Sequence, residues 1–255
     1  MASLTTIITS LFIGLTAGTF GGILGIGGGL IMIPLMVEVL KLTQHKAHGT
    51  SLIALVFTGI GGAITYASNG SVDMTAAVLL AVTAVFTAPL GARYSNALSE
   101  NKLKKYFGAF LIFCSALLLL KPYLTNLIGT VPDFAKIIIL LTTGAVTGFL
   151  SGMMGVGGGT IMIPVMVILI GFTQHMAQGT SLLVIVPTGA IGAFTHWKMG
   201  NVEKGMLWSL IPGILCGTYF GGNIASIISN HSLRLIFADM LIFVGLRYCT
   251  ASSPE

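Results

Sequence analysis

Apolar runs fill this chain almost end to end. Five lie in the first 122 residues, at about 4–20, 28–40, 48–67, 74–92 and 104–120. Five more follow residue 132, at about 134–150, 158–171, 177–197, 204–222 and 233–249. Stretches such as 76–85 and 110–120 are solidly apolar. They lack the period-two alternation of an outer-membrane barrel strand, so they predict helices. A helix crosses a bilayer with about 20 apolar residues. Most runs meet that length, but the second of each set does not. About 13 residues rise only about 20 Å, against a hydrocarbon core of about 30 Å. The pattern predicts an all-α integral membrane protein with 8–10 membrane helices, two of them broken or re-entrant. Its organisation reads as a membrane repeat over 1–122, a linker over 123–132 and a second membrane repeat over 133–255.

The short runs carry the clearest signal. Residues 21–36 read GGILGIGGGLIMIPLM, and residues 151–166 read SGMMGVGGGTIMIPVM, 130 positions later without a gap. Ten of the sixteen positions are identical. TQHKAHGTSL at 43–52 matches TQHMAQGTSL at 173–182 in eight of ten positions. Matches at the same offset continue through Thr58/Thr188, Gly62/Gly192, Gly91/Gly221 and Phe107/Phe237. The chain is therefore read as a duplication. In each copy a glycine cluster, which disfavours helix, precedes a half-helix holding Pro34 or Pro164. Irregular backbone at membrane depth is tolerated only where protein or a wet cavity surrounds it.

Composition strengthens the membrane reading. Charged residues make up 7% of the 255, where a soluble domain carries about 25%. The net charge of +5 comes from Lys and Arg spread between apolar runs, which suits topology determinants rather than nucleic-acid binding. Cys114, Cys216 and Cys249 fall in or at the end of apolar runs and read as small buried hydrophobes. The N-terminus lacks a basic signal-peptide region and reads as the first membrane segment.

Charge also bears on orientation. If the first two runs of each copy form a hairpin, the second copy is inverted. One side then carries Lys41, Lys46, Arg93, Lys102, Lys104, Lys105, Lys198, Lys204 and Arg247, and the other Lys121, Lys136 and Arg234: nine against three. Parallel copies give seven against five. The positive-inside rule favours the sharper split, hence inverted repeats with both termini cytoplasmic.

The chemistry on offer is that of an anion site. Gly25, Gly27, Gly28 and Gly29, with Gly155, Gly157, Gly158 and Gly159, let backbone N–H groups converge as an anion-binding nest. The half-helix behind each cluster adds the partial positive charge of its N-terminus. In inverted copies the two ends meet near the midplane and face one cavity. The bland alternative is close helix packing. Gln44, Thr50 and Ser51, with Gln174, Thr180 and Ser181, supply polar groups that complete an oxyanion's shell, cap the third helix of each copy, or, for the glutamines, anchor at the interface. His45 and His175, Glu38 and Asp239 are the candidates for proton coupling. Ordinary ion pairs compete: Glu38 with Lys41, Asp239 with Arg234 or Arg247. His196 beside Trp197 and Lys198 reads as an interfacial anchor. His45 and His48 stand three apart, but Gln178 replaces the second in the other copy and no cysteine or carboxylate joins them, so no metal site is expected. No Walker A sequence is present and no cofactor is expected.

The duplicated G-x-G-G-G-x-[IL]-x-[IV]-P element, with G-T-S about 15 residues after the proline, resembles the TauE/SafE family of sulfite and organosulfonate exporters. The resemblance covers both halves through Gly25, Gly27–Gly29, Pro34 and Gly49–Ser51, and Gly155, Gly157–Gly159, Pro164 and Gly179–Ser181. It implies a multi-pass permease of the bacterial inner membrane that moves small sulfur-containing anions or organic acids. The expected function is a secondary transporter, of exporter type, for sulfite, another sulfur oxyanion or an organosulfonate, working by alternating access. The partners expected are the small anion, the bilayer and a coupling ion, H⁺ or Na⁺, with a homodimer left open. The alternatives are an importer, a cation or metal transporter of the same fold, an intramembrane enzyme built on His45 and Ser51, and a membrane assembly factor. Few membrane carboxylates disfavour the cation, and duplicated symmetry disfavours a single catalytic centre.

Overall fold

The computed structural model describes residues 4–95, 100–124 and 131–250, without the side chains of 100–107, 110 and 122–124. Most of the linker read at 123–132 lies outside the described residues, as do the side chains of Lys102, Lys104 and Lys105.

Ten α-helices account for the described residues: α1 Leu4–Leu24, α2 Gly29–Glu38, α3 Gln44–Ser68, α4 Met74–Tyr94, α5 Glu100–Leu124, α6 Asp133–Met154, α7 Gly159–Val165, α8 Gln174–Lys198, α9 Lys204–Ile227 and α10 Asn230–Thr250. Helix α7 runs on as a π-helix, Met166–Ile170. Six of them (α1, α3, α4, α6, α8 and α9) are long and apolar enough to cross a membrane. Their outward faces are apolar: Trp208 is 87% exposed, Phe134 75% and Phe86 74%. In water such a surface would be costly, whereas lipid tails accept it.

Each copy spreads its helices across the other. Helix α1 packs on α9, α4 on α6, α3 on α8, and α5 on α10. Small residues set these contacts. Gly14, Gly18 and Gly22 lay one face of α1 on the backbone of Leu210, Ile214 and Thr218. Gly213, Gly217 and Gly221 return the contact to Leu11, Leu15 and Thr19. A Cβ on Gly18 would stand 2.5 Å from the carbonyl oxygen of Ile214, so the helices touch backbone to backbone. In the same way Gly144, Gly148 and Gly152 set α6 on Leu80, Ala84 and Ala88 of α4. Helices α3 and α8 cross antiparallel: Gly49 near the start of α3 lies against Asn201, just beyond the end of α8, and Gly179 lies against Ser71. Helices α5 and α10 also oppose, with Ser115 Oγ donating to Ala238 O at 2.9 Å.

Several expectations shift. Helices α3 and α8 start earlier than read, because Thr43 and Thr173 are their N-caps, accepting from Lys46 N at 3.4 Å and Met176 N at 3.2 Å. Thr50 and Ser51, with Thr180 and Ser181, therefore lie in the second turn and do not cap these helices. Cys216 is exposed on α9; Cys114 alone of the three is buried. Both proline-containing half-helices form, yet they differ. Helix α2 keeps α geometry past Pro34, whereas α7 widens into the π-turn just after Pro164. Proline withdraws an amide from the ladder, and the π-turn is one way for the helix to continue.

Candidate functional site

The two glycine breaks meet at the centre of the bundle. Helix α1 ends at Leu24, and Gly25, Gly27 and Gly28 take φ of 71°, 84° or 85°, in the left-handed region. Gly155 and Gly157 repeat this with φ 65° and 86°. Gly158 does not: its φ is −74°, an ordinary helical value. A side chain at Gly25 would strike Gln178, with Cβ to Cβ at 2.5 Å. At Gly155 it would strike His48, at 2.9 Å from Cα. Each break thus rests on the third helix of the opposite copy, and positive φ makes any other residue costly.

Hydroxyl groups bolt this arrangement. Ser51 Oγ donates to Gly155 O at 2.9 Å, and Ser181 Oγ donates to Gly25 O at 3.0 Å. Thr50 Oγ1 accepts from Glu203 N, and Thr180 Oγ1 from Asp73 N, both at 2.9 Å. Tyr66 hydroxyl lies 3.0 Å from both Gly22 O and Gln178 Oε1. At the matching place His196 Nε2 bonds to Gly152 O at 3.1 Å. His196 is therefore a fully buried pillar and not the interfacial anchor expected. Of the four polar residues around the breaks (Tyr66, Gln178, His48 and His196), the sequence offers His48 and Gln178 only in weighing a metal site and His196 only as an interfacial anchor, and it passes over Tyr66. Their trace in the sequence is that both copies keep a polar group at each position while changing its type.

The backbone amides are the other half of the site. Gly25 N–H bonds to Gly21 O at 2.9 Å, and the next such bond runs from Ile31 to Gly28 O at 3.1 Å. Gly155 bonds to Ser151 O at 2.8 Å, and the next is Ile161 to Gly158 O at 3.1 Å. Among the described residues, the amides of 26–30 and 156–160 thus meet no protein acceptor, although all these residues are buried. Burying an unmet donor costs about 1–3 kcal/mol. Two helix starts with unpaired donors, Gly29 of α2 and Gly159 of α7, come together here. No ligand-sized gap separates them: a Cβ on Gly29 would stand 2.7 Å from Gly155 O, and one on Gly159 2.8 Å from Gly25 O. The shared midplane cavity expected from the sequence is closed, with Leu55 and Ile185 packed against Gly27 and Gly157.

Open space lies at the outer ends of the half-helices instead. A cavity of about 290 Å³ runs beside α2, between Leu30–Glu38, Gln44 and α10. A second of about 320 Å³ sits where the π-turn, the start of α8 and the start of α10 meet, and includes Gln174. Because α3 and α8 are antiparallel, Gln44 and Gln174 mark opposite ends of the bundle. A profile of the sulfite exporter TauE/SafE family matches residues 10–248.

The chain belongs to that family. It is 28% identical to "Probable membrane transporter protein YunE" of Bacillus subtilis over 91% of this chain and 93% of that one. It is also 28% identical to "Probable membrane transporter protein MJ0441" of Methanocaldococcus jannaschii over 92% of each. A third relative, "Probable membrane transporter protein YdhB" of Bacillus subtilis, is 26% identical over 85% of this chain and 89% of that one. No solved structure matches the chain. The sequence and its relatives describe a multi-pass membrane protein of a transporter family.

The proposed proton carriers are scattered. His175 is held by Asn230 Oδ1 at 2.8 Å and Ala225 O at 2.9 Å. His45 is half-buried near the start of α3. Glu38 pairs with Arg247 of α10 rather than with Lys41. Asp239 faces outward from α10, away from the breaks, and forms no ion pair with Arg234 or Arg247 among the described contacts.

Proposed function

We propose that this chain is a secondary transporter of a small oxyanion, sulfite or a related sulfur oxyanion or organosulfonate, moved by alternating access between two inverted repeats. The observation that carries this reading is the pair of buried amide runs at 26–30 and 156–160, which meet no protein acceptor. They are donors without a formal charge, and an anion is the ligand that satisfies many amides at once. The antiparallel crossing of the equivalent helices α3 and α8 supports inversion, with the termini on the cytoplasmic side by the charge count. The breaks are closed on one another here, and a cavity approaches from each end. This suits an occluded form from which rocking of one half opens either side. In this reading Ser51, Ser181, Thr50 and Thr180 position the breaks, and the glycine amides hold the anion. Binding residues and coupling ion, H⁺ or Na⁺, are part of the proposal.

Purified protein in proteoliposomes, given labelled sulfite, sulfate, thiosulfate and sulfoacetate, tests it. Flux of at least one anion is expected, and Gly28→Leu and Gly158→Leu should abolish it while the protein still inserts. Absence of flux for every anion, under either direction of pH gradient, overturns the reading.

A further inference from the structure

The corner where α8 turns into α9 carries charges that the glycine breaks do not use. Lys198, the last residue of α8, lays its ammonium over the Phe194 ring at 4.5 Å. Lys204, the first residue of α9, lays its own over the Trp197 ring at 4.4 Å. Trp208 stands one turn beyond Lys204 on the same face of α9. Phe194, Trp197 and Trp208 are all exposed. The carboxylate of this stretch, Glu203, is met by Lys46 of α3 at 2.8 Å. Neither Lys198 nor Lys204 has an acidic partner among the described residues. A lysine stacked on a ring keeps its positive charge. The turn itself is pinned. Gly200 N–H bonds to Trp197 O at 3.1 Å, Asn201 N–H to His196 O at 3.0 Å and Glu203 N–H to Thr50 Oγ1 at 2.9 Å. Rings and ammonium groups are therefore in place before anything binds, which lowers the ordering cost of binding.

The equivalent corner of the first copy makes the contrast. There Ile64, Ala67, Ser68, Met74 and Val78 stand for Phe194, Trp197, Lys198, Lys204 and Trp208. At those five positions neither a cation nor an aromatic ring remains. The acid there, Asp73, accepts from Ala76 N at 2.8 Å as the cap of α4. Because α3 and α8 cross antiparallel, the two corners lie at opposite ends of the bundle. The stacked lysines therefore mark one face of the membrane. Aromatic rings settle at headgroup depth, and lysines beside them attract the phosphates of anionic lipids.

We propose that the α8–α9 corner binds the headgroup phosphate of an anionic phospholipid, on one face of the membrane only. Lys198 and Lys204 hold its charge, and Trp197 and Trp208 seat it at headgroup depth. The site does not depend on the reading of the breaks, and failure of every anion to cross in proteoliposomes leaves it untouched.

Native mass spectrometry of the full-length protein, delipidated in detergent and titrated with phosphatidylglycerol or with zwitterionic phosphatidylcholine, tests it. Phosphatidylglycerol is expected to bind at least about fivefold more tightly. The double variant Lys198→Gln/Lys204→Gln should weaken its first binding step by about tenfold or more, and Trp197→Leu by about threefold. Lys41→Gln/Arg93→Gln, which removes two cations outside the corner, should leave that step within about twofold. Equal affinity for the two lipids, or equal loss in the two double variants, reduces the effect to overall charge and overturns the site. Displacement of the lipid by millimolar inorganic phosphate overturns its assignment to a lipid. Should Lys198→Gln/Lys204→Gln not fold, Trp197→Leu decides, since it leaves every charge in place; unaltered affinity there overturns the site.

Discussion

Ser51 shares its hydroxyl hydrogen between the carbonyl oxygen of Gly155, 2.9 Å away across the boundary between the two copies, and that of His48 in its own helix at 2.8 Å. Ser181 and Gly25 form the matching bond at 3.0 Å. Gly25 and Gly155 are where the chain leaves the helix, and their carbonyls are buried. Removing either hydroxyl strands a buried acceptor. Ser51→Ala and Ser181→Ala should each cost about 1–3 kcal/mol, seen as a lower thermal midpoint of the purified protein in detergent. Equal stability to the native chain would show the bonds to be idle.

The two clusters differ at one glycine. Gly28 has φ 84° and a Cβ added there would strike the carbonyl of Ala17, while Gly158 has φ −74° and a Cβ there would stand 2.5 Å from the flexible end of Met162. Left-handed backbone costs an L-residue about 1–2 kcal/mol. Gly28→Ala should therefore destabilise by more than about 1 kcal/mol relative to Gly158→Ala. Thermal unfolding of the two variants side by side checks the order.

The pillars of the breaks are a Tyr66–Gln178 pair on one side and His196 on the other, where His48 stands at the position equivalent to Gln178. His196→Ala should lose about 1–3 kcal/mol by stranding Gly152 O. Replacing His196 by Tyr together with His48 by Gln copies the opposite side, and should recover most of that loss. A double variant no more stable than His196→Ala in the same unfolding assay would deny the equivalence.

Inversion predicts which loops face which compartment. On a background lacking Cys114, Cys216 and Cys249, Asn69→Cys should react with an impermeant maleimide on intact cells. Lys198→Cys should react only after permeabilisation. Labelling of both from outside would contradict inverted repeats.

Much of this was legible in the sequence. The offset of 130 gave the duplication, and the glycine triplets gave the breaks, because few residues besides glycine occupy those backbone angles. Spacing of four in Gly14, Gly18 and Gly22 announces the α1 contact face, yet it was masked by the general abundance of glycine. The sequence places the starts of α3 and α8 too late because G-T-S resembles a cap, while Thr43 and Thr173 do the capping. Other features depend on distant parts of the chain. The Glu38–Arg247 pair joins residues 209 positions apart, and the burial of His196 depends on Gly152 arriving beside it. The π-turn after Pro164 is not foreshadowed, since Pro34 stands in nearly the same sequence without one.

The pairing of α1 with α9 sets an order of events during synthesis. The face bearing Gly14, Gly18 and Gly22 enters the bilayer roughly 200 residues before Gly213, Gly217 and Gly221 of α9 are made. At about 5–20 residues per second the first helix waits about 10–40 s for its mate. Its small-residue groove stays open to lipid or to an insertion chaperone through that interval. Helix α4 waits less, because only α5 and the linker separate it from α6. Pairing in the order of synthesis would close α4 on α6 first, then α3 on α8 and α1 on α9, and α5 on α10 last.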